Sequence, residues 1–496
     1  MCKDIPELRM LNGQKIIYCD GQPFLLLGLQ LDCDSCYDAE TIAKLMRNAK
    51  KMGCTAVSLL LYWRLIEPKE GLYDFSILEH MLAGARDNDL KIVLVWFGTY
   101  KNTYMHYAPD WLQEDIQRFQ RVVRADGVSI PYVACSNCIA TRNKDAMAVE
   151  QVFTYLRDHD IQKNVVLFQV NNETGILGGT VRCHCPTCER KFHRGGYVQQ
   201  YGSCADEVFA TVSNLDFQEY IAKRAKDIYN LPCYMNAWLA QPWPDCTAGN
   251  GYPSGGPNYR VMDIYRQHKH YIDFVSPDIY TPGYRDFMRV ASDYKFEDNP
   301  LYIAEHALGR SSRAYKNVYY AIGEFAAIGF DPWAIDCAYP DIMEMPLCDM
   351  AHERWSAEAY DILESFVPIR DAMIPVAMHM GTNNLKYWVQ EEAEQETCLD
   401  FGDVFVKVRY CNPELGQSRG MAIRLDSDRF IVLGCKSIVT FLRRDGCKIE
   451  LKDSQRGRFE GTTFISERKN TIAWHETAKE VVWIKECGVS MVILAL

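Results

Sequence analysis

The sequence has little that suits a membrane or a nucleic acid. It contains no apolar run near the roughly 20 residues that a membrane-spanning helix needs, so we expect no membrane insertion. Its 54 Lys and Arg residues are outnumbered by 65 Asp and Glu residues, and the formal net charge at pH 7 is -11. Because binding to phosphate groups needs a basic surface, nucleic acid is not expected as a partner.

Residues 1–7 contain no apolar segment like that of a signal peptide, so we expect no export signal. Without an export signal, we expect a reduced, cytoplasmic setting for the 20 cysteines, most of them as small buried apolar residues. Hydrophobic residues make up 48% of the chain, which allows a large core and excludes a disordered polypeptide.

Strand and helix patterns alternate between residues 24 and 340. Helical periodicity, as at residues 40–52 and 75–88, separates short apolar segments that predict buried strands. Eight strands separated by helices predict a parallel sheet that closes on itself, a (β/α)8 or TIM barrel. The alternative, an open doubly wound sheet, usually has a glycine-rich fingerprint after its first strand, which is absent here. The predicted strands are residues 24–29, 55–61, 92–97, 165–170, 232–236, 274–279, 301–304 and 329–335.

The pattern changes in the C-terminal part of the chain. Residues 350–373 predict a helix that completes the helical layer of the barrel. After Pro375, short alternating segments separated by turn residues predict an all-β region. These segments are residues 403–410, 420–425, 429–433, 437–441 and 480–485. We therefore expect a catalytic barrel over residues 1–370 and a smaller, β-sandwich-like accessory domain over residues 371–496.

Two of the predicted barrel strands end in a glutamate. Asn171, Asn172 and Glu173 follow the fourth strand, and Glu305 follows the seventh. Catalytic groups of (β/α)8 barrels lie at the C-terminal ends of the strands, and a carboxylate is costly to bury without a partner. A single glutamate at a strand end is most often a solvated loop residue, but two in this arrangement are expected to face each other across a pocket.

A facing pair of carboxyl groups is what retaining glycoside hydrolysis requires. One group must be protonated to donate to the leaving oxygen, and the other must be ionised to attack the anomeric carbon; the two are held about 5 to 5.5 Å apart. Proximity helps to separate the two pKa values, because neighbouring negative charges resist joint ionisation. The sequence therefore predicts a site with this chemistry.

At these positions the sequence resembles clan A of the glycoside hydrolases, in which the acid/base follows an Asn after strand four and the nucleophile ends strand seven. The resemblance implies Glu173 as general acid/base and Glu305 as nucleophile. Residues 62–75, YWRLIEPKEGLYDF, are similar to the strand-two segment of the family 35 and family 42 β-galactosidases. Further segments similar to the bacterial family-35-type branch are residues 96–102, 107–111, 252–257, 276–280 and 329–336.

The resemblance implies roles for several pocket residues. Asn172 would hydrogen-bond the sugar 2-hydroxyl, Tyr280 would orient Glu305, and Trp333 would offer an apolar face to the sugar ring. Asn171 stands where family-35-type sequences commonly have a glutamate near the sugar, and this departure puts galactose specificity in doubt.

Further candidate pocket residues, by the same resemblance, are Lys101, Asn102, Trp63, Glu67 and Trp238. Two of them have an equally good structural explanation. Trp63 would suit ordinary core packing, and Glu67 would suit a structural salt bridge.

A cysteine cluster lies shortly after the fourth predicted strand. Cys183, Cys185 and Cys188 form a C-x-C-x-x-C array whose thiolates are close enough to bind one tetrahedral zinc ion. Some family 42 β-galactosidases have a similar array, with a fourth cysteine from a loop before strand four. By that resemblance Cys138 is the predicted fourth ligand and Cys135 the alternative. Four thiolates leave no position for water, so the predicted zinc is structural; free thiols without a metal are the other interpretation.

The resemblance implies a retaining glycoside hydrolase that removes terminal β-D-galactosyl residues and needs no cofactor for its chemistry. β-Glucosides and α-L-arabinopyranosides are alternative substrates of the same mechanism. A non-catalytic carbohydrate-binding barrel is a second hypothesis. A zinc ribbon that binds nucleic acid is a third, which the acidic charge and the lack of a second C-x-x-C pair disfavour. Family 42 relatives form trimers and family 35 members vary, so the resemblance is compatible with a homo-oligomer, a dimer or a trimer, and leaves the oligomeric state open.

Overall fold

The computed structural model of the chain describes residues 3–33, 35–241, 244–281, 283–307, 313–333, 348–349, 354–355, 357–392, 394–470 and 479–496. Within these residues the α-helices are α1 (Ala39–Lys51), α2 (Trp63–Ile66), α3 (Ser76–Asn88), α4 (Asp110–Glu114), α5 (Ile139–His159), α6 (Pro186–Arg194), α7 (Tyr197–Tyr201), α8 (Ala205–Lys226), α9 (Met262–His268), α10 (Tyr284–Tyr294), α11 (Ala314–Gly323), α12 (Ala357–Asp371) and α13 (Met373–His379).

The strands up to the end of the barrel are β1 (Glu7–Leu11), β2 (Gln14–Cys19), β3 (Gln22–Phe24), β4 (Leu26–Leu27), β5 (Ala56–Tyr62), β6 (Lys91–Phe97), β7 (Arg121–Val123), β8 (Ser129–Ala134), β9 (Val165–Gln169), β10 (Cys233–Ala237), β11 (Phe274–Ile279), β12 (Tyr302–His306) and β13 (Gly329–Pro332). The later strands are β14 (Cys348–Asp349), β15 (Arg354–Trp355), β16 (Leu385–Val389), β17 (Glu396–Asp400), β18 (Val404–Tyr410), β19 (Arg419–Arg424), β20 (Arg429–Cys435), β21 (Ser437–Arg443), β22 (Leu451–Glu460), β23 (Thr463–Lys469), β24 (Val481–Ile484) and β25 (Gly488–Leu494).

Eight parallel strands form the central sheet, in the order β4-β13-β12-β11-β10-β9-β6-β5. The sheet closes at Gln30, just after β4, which pairs in parallel with both Ser58 of β5 and Trp333 beyond β13. Strands β5 and β6 are buried at nearly every position, because helices cover the outside of a barrel and side chains fill its interior. The predicted (β/α)8 barrel is confirmed.

Each predicted barrel strand corresponds to one observed strand, with differences at the ends. The first was predicted over residues 24–29, and β4 spans only Leu26–Leu27, but backbone hydrogen bonds from Gly28 N to Phe330 O and from Gln30 N to Pro332 O continue its pairing. The last was predicted over residues 329–335, and residues 334–335 lie outside the described part of the chain.

After the barrel, the chain forms a six-stranded sheet, β16-β19-β20-β25-β22-β23, and a four-stranded sheet, β17-β18-β21-β24. Inward-facing residues of both sheets, such as Val406, Val432 and Phe441, form an apolar cluster of their own. The predicted all-β region is confirmed. Strands β22 and β23 were missed because their sequences are rich in charged residues and lack a clear apolar alternation. The division of the chain after residue 370 stays a prediction.

The boundary between the barrel and the all-β region differs from the prediction. The predicted helix at residues 350–373 corresponds to α12, but the short strand β15 occupies its first part. Helix α13 then continues past Pro375, so the first strand of the all-β region begins only at Leu385.

The N-terminal residues form a small antiparallel sheet, β1-β2-β3, which the sequence patterns did not predict. The Asn12 side chain donates to the backbone oxygen of Met378 at 2.8 Å and so joins this sheet to α13. Over the described part of the chain, every helix is too short or too polar to cross a membrane.

Candidate active site

Three acidic side chains meet at the C-terminal ends of neighbouring barrel strands. Glu173 follows β9, Asp278 lies in β11, and Glu305 lies in β12, where it is the direct pairing partner of Asp278. One carboxylate oxygen from each of the three groups lies within 4.8 Å of the other two. The two glutamates that the sequence singled out therefore face each other, with a third carboxyl group between their strands.

The backbone after β9 turns sharply to direct Glu173 into the barrel mouth. Asn171 and Glu173 both have left-handed backbone angles, with φ of 59° and 45°, which non-glycine residues adopt rarely. The Glu173 N–H donates to Asn236 Oδ1 at 2.8 Å, and its carbonyl accepts from Thr103 N at 3.1 Å. These bonds to neighbouring strand ends hold a backbone conformation that is costly on its own.

The three carboxyl groups line one pocket of about 480 Å³, a volume typical of sites for small molecules. Five other residues that the sequence proposed for the pocket also line it: Lys101, Asn102, Trp238, Tyr280 and Trp333. The rings of Tyr280 and Trp333 meet edge to face, with their centroids 6.2 Å apart. The pocket thus combines apolar aromatic walls with a cluster of charged groups.

The Glu305 carboxylate is held at both of its oxygens. The Tyr280 hydroxyl donates to Oε2 at 2.6 Å, and the Gln30 amide donates to Oε1 at 3.0 Å. Hydrogen bonds to an ionised carboxylate stabilise its charge and fix its direction. Glu305 is therefore fixed in place and supplied with donors suited to the ionised form.

The two glutamates differ in the forces on their protons. Burial, followed by the negative charge of Glu305, raises the pKa of Glu173 to about 8. Burial also raises the pKa of Glu305, but hydrogen bonds from Tyr280 and Gln30 and the charge of Lys101 oppose that shift. The surroundings therefore favour a protonated Glu173 beside an ionised Glu305.

Lys101 is the only cation among the described residues that line the pocket. Its ammonium group lies 5.6 Å from the centroid of the Phe97 ring. Burial opposes its charge, but the neighbouring Cys33, Glu173 and Glu305 outweigh burial and raise the pKa of Lys101. The lysine therefore stays charged and partly balances the acidic groups.

Trp63 and Glu67 lie away from the pocket, contrary to their proposed contact with the sugar. Both are buried, and the Trp63 indole N–H donates to Glu67 Oε2 at 2.9 Å. The other carboxylate oxygen of Glu67 accepts from the backbone N–H of Gly71 at 2.8 Å. The structural explanation holds for both residues, although the partners of Glu67 are an indole and an amide instead of a cation.

Asn171 also lies outside the pocket. Its side chain accepts from Tyr100 N at 3.0 Å and donates to Gln218 Oε1 at 2.8 Å, behind the pocket wall. The expectation that this position lies near the sugar is therefore wrong. Asn172 is next to the pocket, and its amide donates to Asn102 Oδ1 at 3.2 Å.

Three residues that contact the site were not identified from the sequence: Gln30, Asn236 and Asp278. Each is a polar residue at or near the end of a predicted apolar strand, which was the pattern used to select the glutamates. Asn236 connects two of the acidic groups: its amide donates to Asp278 Oδ2 at 2.8 Å and, more weakly, to Glu305 Oε1 at 3.4 Å.

Four buried thiols lie close together, three of them in the segment that follows β9 and Glu173. The sulfur atoms of Cys135, Cys183, Cys185 and Cys188 all lie within 4.8 Å of one another, with 3.5 Å between Cys135 and Cys188. Tetrahedral zinc sites use this donor set and need it to be compact. The four residues therefore fit a closed zinc site with no position left for water.

Cys138 is not the fourth member of this group, so the prediction that preferred it over Cys135 is wrong. Cys138 precedes α5, and its sulfur faces the other way, accepting from Gln120 N at 3.4 Å and donating to the Arg118 carbonyl at 3.6 Å. The chain makes a turn between residues 135 and 138, in which Cys138 N donates to Cys135 O at 2.8 Å, so the side chains of the two cysteines point in different directions.

Backbone donors surround the sulfur cluster. Cys183 Sγ accepts from Val123 N and Cys185 N, both at 3.4 Å, and Cys185 Sγ accepts from Cys188 N at 3.5 Å at the start of α6. N–H donors and a helix N-terminus stabilise thiolates. His184, in contrast, contacts Glu189 at 2.7 Å and takes no part in the cluster.

The fold and the site together define a class of protein. A closed (β/α)8 barrel with carboxyl groups at the ends of its fourth and seventh strands, β9 and β12, has the arrangement of the clan A glycoside hydrolases. In sequence the chain resembles the family 42 β-galactosidases. A family model described as β-galactosidase, glycoside hydrolase family 42, matches residues 35–231. Another model, described as a domain of unknown function, matches residues 357–470.

Curated relatives match a part of the barrel. Beta-galactosidase LacZ of Lactobacillus acidophilus is 26% identical over 156 residues, which is 31% of this chain and 22% of that protein. Beta-galactosidase BgaA of Thermus sp is 31% identical over 150 residues, 28% of this chain and 20% of that protein. The chain thus matches about a fifth of the length of these relatives.

Solved structures match over more of the chain. A catalytic mutant of Gan42B, a GH42 β-galactosidase from G. stearothermophilus, has a TM-score of 0.58 at 11% identity, covering 95% of this chain and 98% of that one. A β-galactosidase from Bacillus circulans sp. alkalophilus has a TM-score of 0.53 at 14% identity, covering 70% of this chain and 56% of that one. At these identities the similarity shows the fold.

Proposed function

We propose that the chain is a retaining glycoside hydrolase that removes terminal β-D-galactosyl residues by double displacement. The observation that carries the proposal is the pair Glu173 and Glu305, whose carboxylate oxygens lie within 4.8 Å across one pocket. Retaining enzymes hold their two carboxyl groups about 5 to 5.5 Å apart, whereas inverting enzymes separate them to admit a water. The similarity to proteins named β-galactosidase supports the choice of sugar.

In the first step Glu305 acts as the nucleophile. Its ionised carboxylate attacks the anomeric carbon and forms a glycosyl ester, while the glycosidic bond breaks. The proton of Glu173 passes to the leaving oxygen, so that the aglycone departs as a neutral alcohol. In the second step the ionised Glu173 takes a proton from water, the resulting hydroxide attacks the anomeric carbon, and Glu305 is released as a carboxylate.

The remaining pocket residues bind the sugar in this proposal. Trp333 and Trp238 offer apolar faces to the ring, while Lys101 and Asn102 reach its hydroxyl groups. Asn172 lies directly before the acid/base, where its amide hydrogen-bonds the 2-hydroxyl and strengthens that bond in the transition state. Tyr280 acts on the nucleophile through its hydrogen bond to Glu305.

We also infer a structural zinc ion held by Cys135, Cys183, Cys185 and Cys188. The ion would crosslink the loop after β8 with the loop after β9 and so support the segment that carries the acid/base. It supplies no chemistry to glycoside cleavage, since its four protein ligands complete the coordination.

The nucleophile assignment is tested with E305A and azide. The variant should lose at least about four orders of magnitude in kcat on a nitrophenyl β-D-galactoside, because no group remains to form the ester. Azide should enter the space left by the carboxylate and restore turnover, giving a galactosyl azide of inverted anomeric configuration. A folded E305A without azide rescue would contradict the assignment.

The same assay identifies the sugar. Nitrophenyl β-D-galactoside, β-D-glucoside and α-L-arabinopyranoside are compared by kcat/KM with the unmodified protein. The proposal expects the galactoside to be preferred. A preference for the glucoside or arabinopyranoside would retain the mechanism and correct the substrate, and no turnover of any glycoside would favour a non-catalytic carbohydrate-binding barrel.

A further inference from the structure

Asp278 is a third carboxyl group in the pocket, and the two-step mechanism gives it no task. It is buried in β11, and Oδ2 accepts from the Asn236 amide at 2.8 Å. Its other oxygen, Oδ1, is also buried and has no hydrogen-bond partner among the described residues. A buried acidic oxygen without a donor is costly unless the group carries a proton or shares one.

The neighbour that can share a proton with Asp278 is Glu173. One carboxyl oxygen of Asp278 lies within 4.8 Å of a carboxyl oxygen of Glu173 in the pocket. Ionised carboxylates are acceptors only, so two of them cannot form a hydrogen bond unless one carries a proton. A proton on the pair would allow a hydrogen bond between the two groups and would give the unpartnered Oδ1 of Asp278 a donor.

The charges around Asp278 lead to the same result. The charged groups of the pocket are Glu173, Glu305 and the single ammonium of Lys101, which acts on both glutamates. Three buried carboxylates against one cation would leave two uncompensated negative charges. The other titratable groups that face Asp278 are Tyr234, Tyr280 and Tyr294, whose hydroxyls stay neutral because burial raises the pKa of each. One proton shared among Glu173, Asp278 and Glu305 reduces the two uncompensated negative charges to one.

We propose that Asp278 is a positioning residue that shares one proton with Glu173 and so keeps the acid/base protonated while Glu305 is ionised. The inference rests on the proposed function of the site. Burial and the charges of Glu305 and Glu173 raise the pKa of Asp278 well above its usual range, which agrees with a shared proton. The two carboxyls then titrate as one unit, and loss of their common proton sets the upper limit of activity.

The kinetic test is the pH dependence of kcat/KM in D278N. This dependence should be bell-shaped in the unmodified protein, with an upper limb near the pKa of about 8 of Glu173. In D278N the neighbouring negative charge is gone, so Glu173 ionises more easily and the upper limb moves down by about one pH unit or more. An upper limb that stays in place would overturn the proposal.

The matched control is D331N, which makes the same chemical change at another buried carboxyl of the barrel. Asp331 contacts Ser58 and Tyr302 and does not line the pocket. D331N should leave the upper limb unchanged. A limb that moved equally in both variants would mean that Asp278 acts only through the general charge or packing of the barrel, which would also overturn the proposal.

A direct measurement uses the infrared carbonyl band of protonated carboxyl groups. At pH 7 the spectrum of D278N should lack one such band that the unmodified protein shows, and the band should return at pH 5, where Glu173 binds a proton of its own. If D278N does not fold, E173Q provides the second test, because the titration step near pH 8 should disappear when either member of the pair is missing. A step that persists in E173Q would refute proton sharing.

The outcomes separate this inference from the proposed function. Proton sharing in the infrared spectra of a protein that cleaves no glycoside would leave the inference intact and remove the function. If the protein cleaves glycosides, but D278N changes neither the upper limb of the pH dependence nor the infrared band, the proposed function would stand and the inference would fall.

Discussion

Glu173 and Glu305 show how surroundings favour different protonation states of the same side chain. Glu305 receives hydrogen bonds from Tyr280 and Gln30, which favour its ionised form. Glu173 has a carboxyl neighbour instead, Asp278, and burial raises its pKa to about 8. In the proposed mechanism, the difference between the acid and the nucleophile therefore comes from the donors that each strand end supplies, since the two carboxyl groups are chemically alike.

Asp331 is a second place where burial decides protonation. It lies in β13, inside the barrel, and accepts hydrogen bonds from the hydroxyls of Ser58 and Tyr302. A Cβ atom on residue 28 would come within 1.8 Å of Asp331 Oδ1, so Gly28 leaves the space that the carboxyl occupies. Burial raises the pKa of Asp331 to about 7 from 3.8, although the hydrogen bonds from Ser58 and Tyr302 oppose that shift.

D331N should therefore change the pH dependence of stability. In the folded protein Asp331 keeps its proton up to about pH 7, whereas the unfolded chain loses it near pH 4. Its contribution to stability is full below pH 4 and is lost as the pH rises to about 7, by up to about 4 kcal/mol. The free energy of unfolding of D331N, relative to the unmodified protein, should rise across that range in urea titrations at pH 5 and pH 7.5. A pH-independent difference would show that Asp331 is not protonated in the folded state.

The strand ends and the loops beside them are the elements that build the site. Glu173, Asn236, Asp278 and Glu305 come from four successive barrel strands, β9 to β12, so neighbouring strands deliver neighbouring side chains. The cysteine group is built in the same way: Cys135 comes from the loop after β8, Cys183 and Cys185 come from the loop after β9, and Cys188 lies in the first turn of α6. A crosslink between these loops would limit the motion of the segment that carries Glu173.

The zinc inference predicts different results for two cysteines only three residues apart. C135S should lower the zinc content of the purified protein from about one ion per chain to well below that, because a hydroxyl is a poor replacement for a thiolate ligand. C138S should retain the metal, since the sulfur of Cys138 faces Gln120 and Arg118. Elemental analysis of both variants is the measurement. Equal loss of zinc in both, or no zinc in the unmodified protein, would contradict the assignment.

In the whole molecule, a buried arginine joins the barrel layer to the all-β region. Arg419 of β19 is fully buried and donates to Ser365 Oγ at 2.7 Å and to the Asp361 carbonyl at 2.8 Å, both in α12. It also donates to the Gln417 carbonyl at 2.7 Å. A planar guanidinium can satisfy several acceptors at once, and the Glu364 carboxylate, 3.7 Å away, balances its charge.

R419M should destabilise the molecule through this contact. The change removes the charge but leaves buried acceptors without donors, and we expect a loss of about 3 kcal/mol in the free energy of unfolding. R424M is the control, because the bonds of Arg424 among the described residues all stay within the all-β region: to the Asp403 carboxylate and to the carbonyls of Phe401, Asp426 and Ser427. Urea unfolding followed by tryptophan fluorescence measures both. Equal losses in the two variants would show that Arg419 makes no special contribution between α12 and the sheets.

The local pattern of the chain was enough to predict the barrel and its two glutamates. Strand positions follow from short apolar runs, and a polar residue at the end of such a run is visible without knowing what lies opposite. The family resemblance, carried by short sequence segments, implied Lys101, Asn102, Tyr280 and Trp333 as pocket residues, and all four line the pocket. These features depend on residues close together along the chain, so the sequence carries them directly.

The contacts between segments that are distant along the chain could not be predicted from the sequence, because they depend on how the barrel closes. Cys135 and Cys138 are alike in sequence, and only the turn between them directs one sulfur into the cluster. In the sequence, Asp278 is one polar residue inside a predicted strand. Only the pairing of β11 with β12 shows that it lies beside Glu305. Side-chain direction alternates along a strand and changes within a turn, so such neighbours become visible only when every strand has its place.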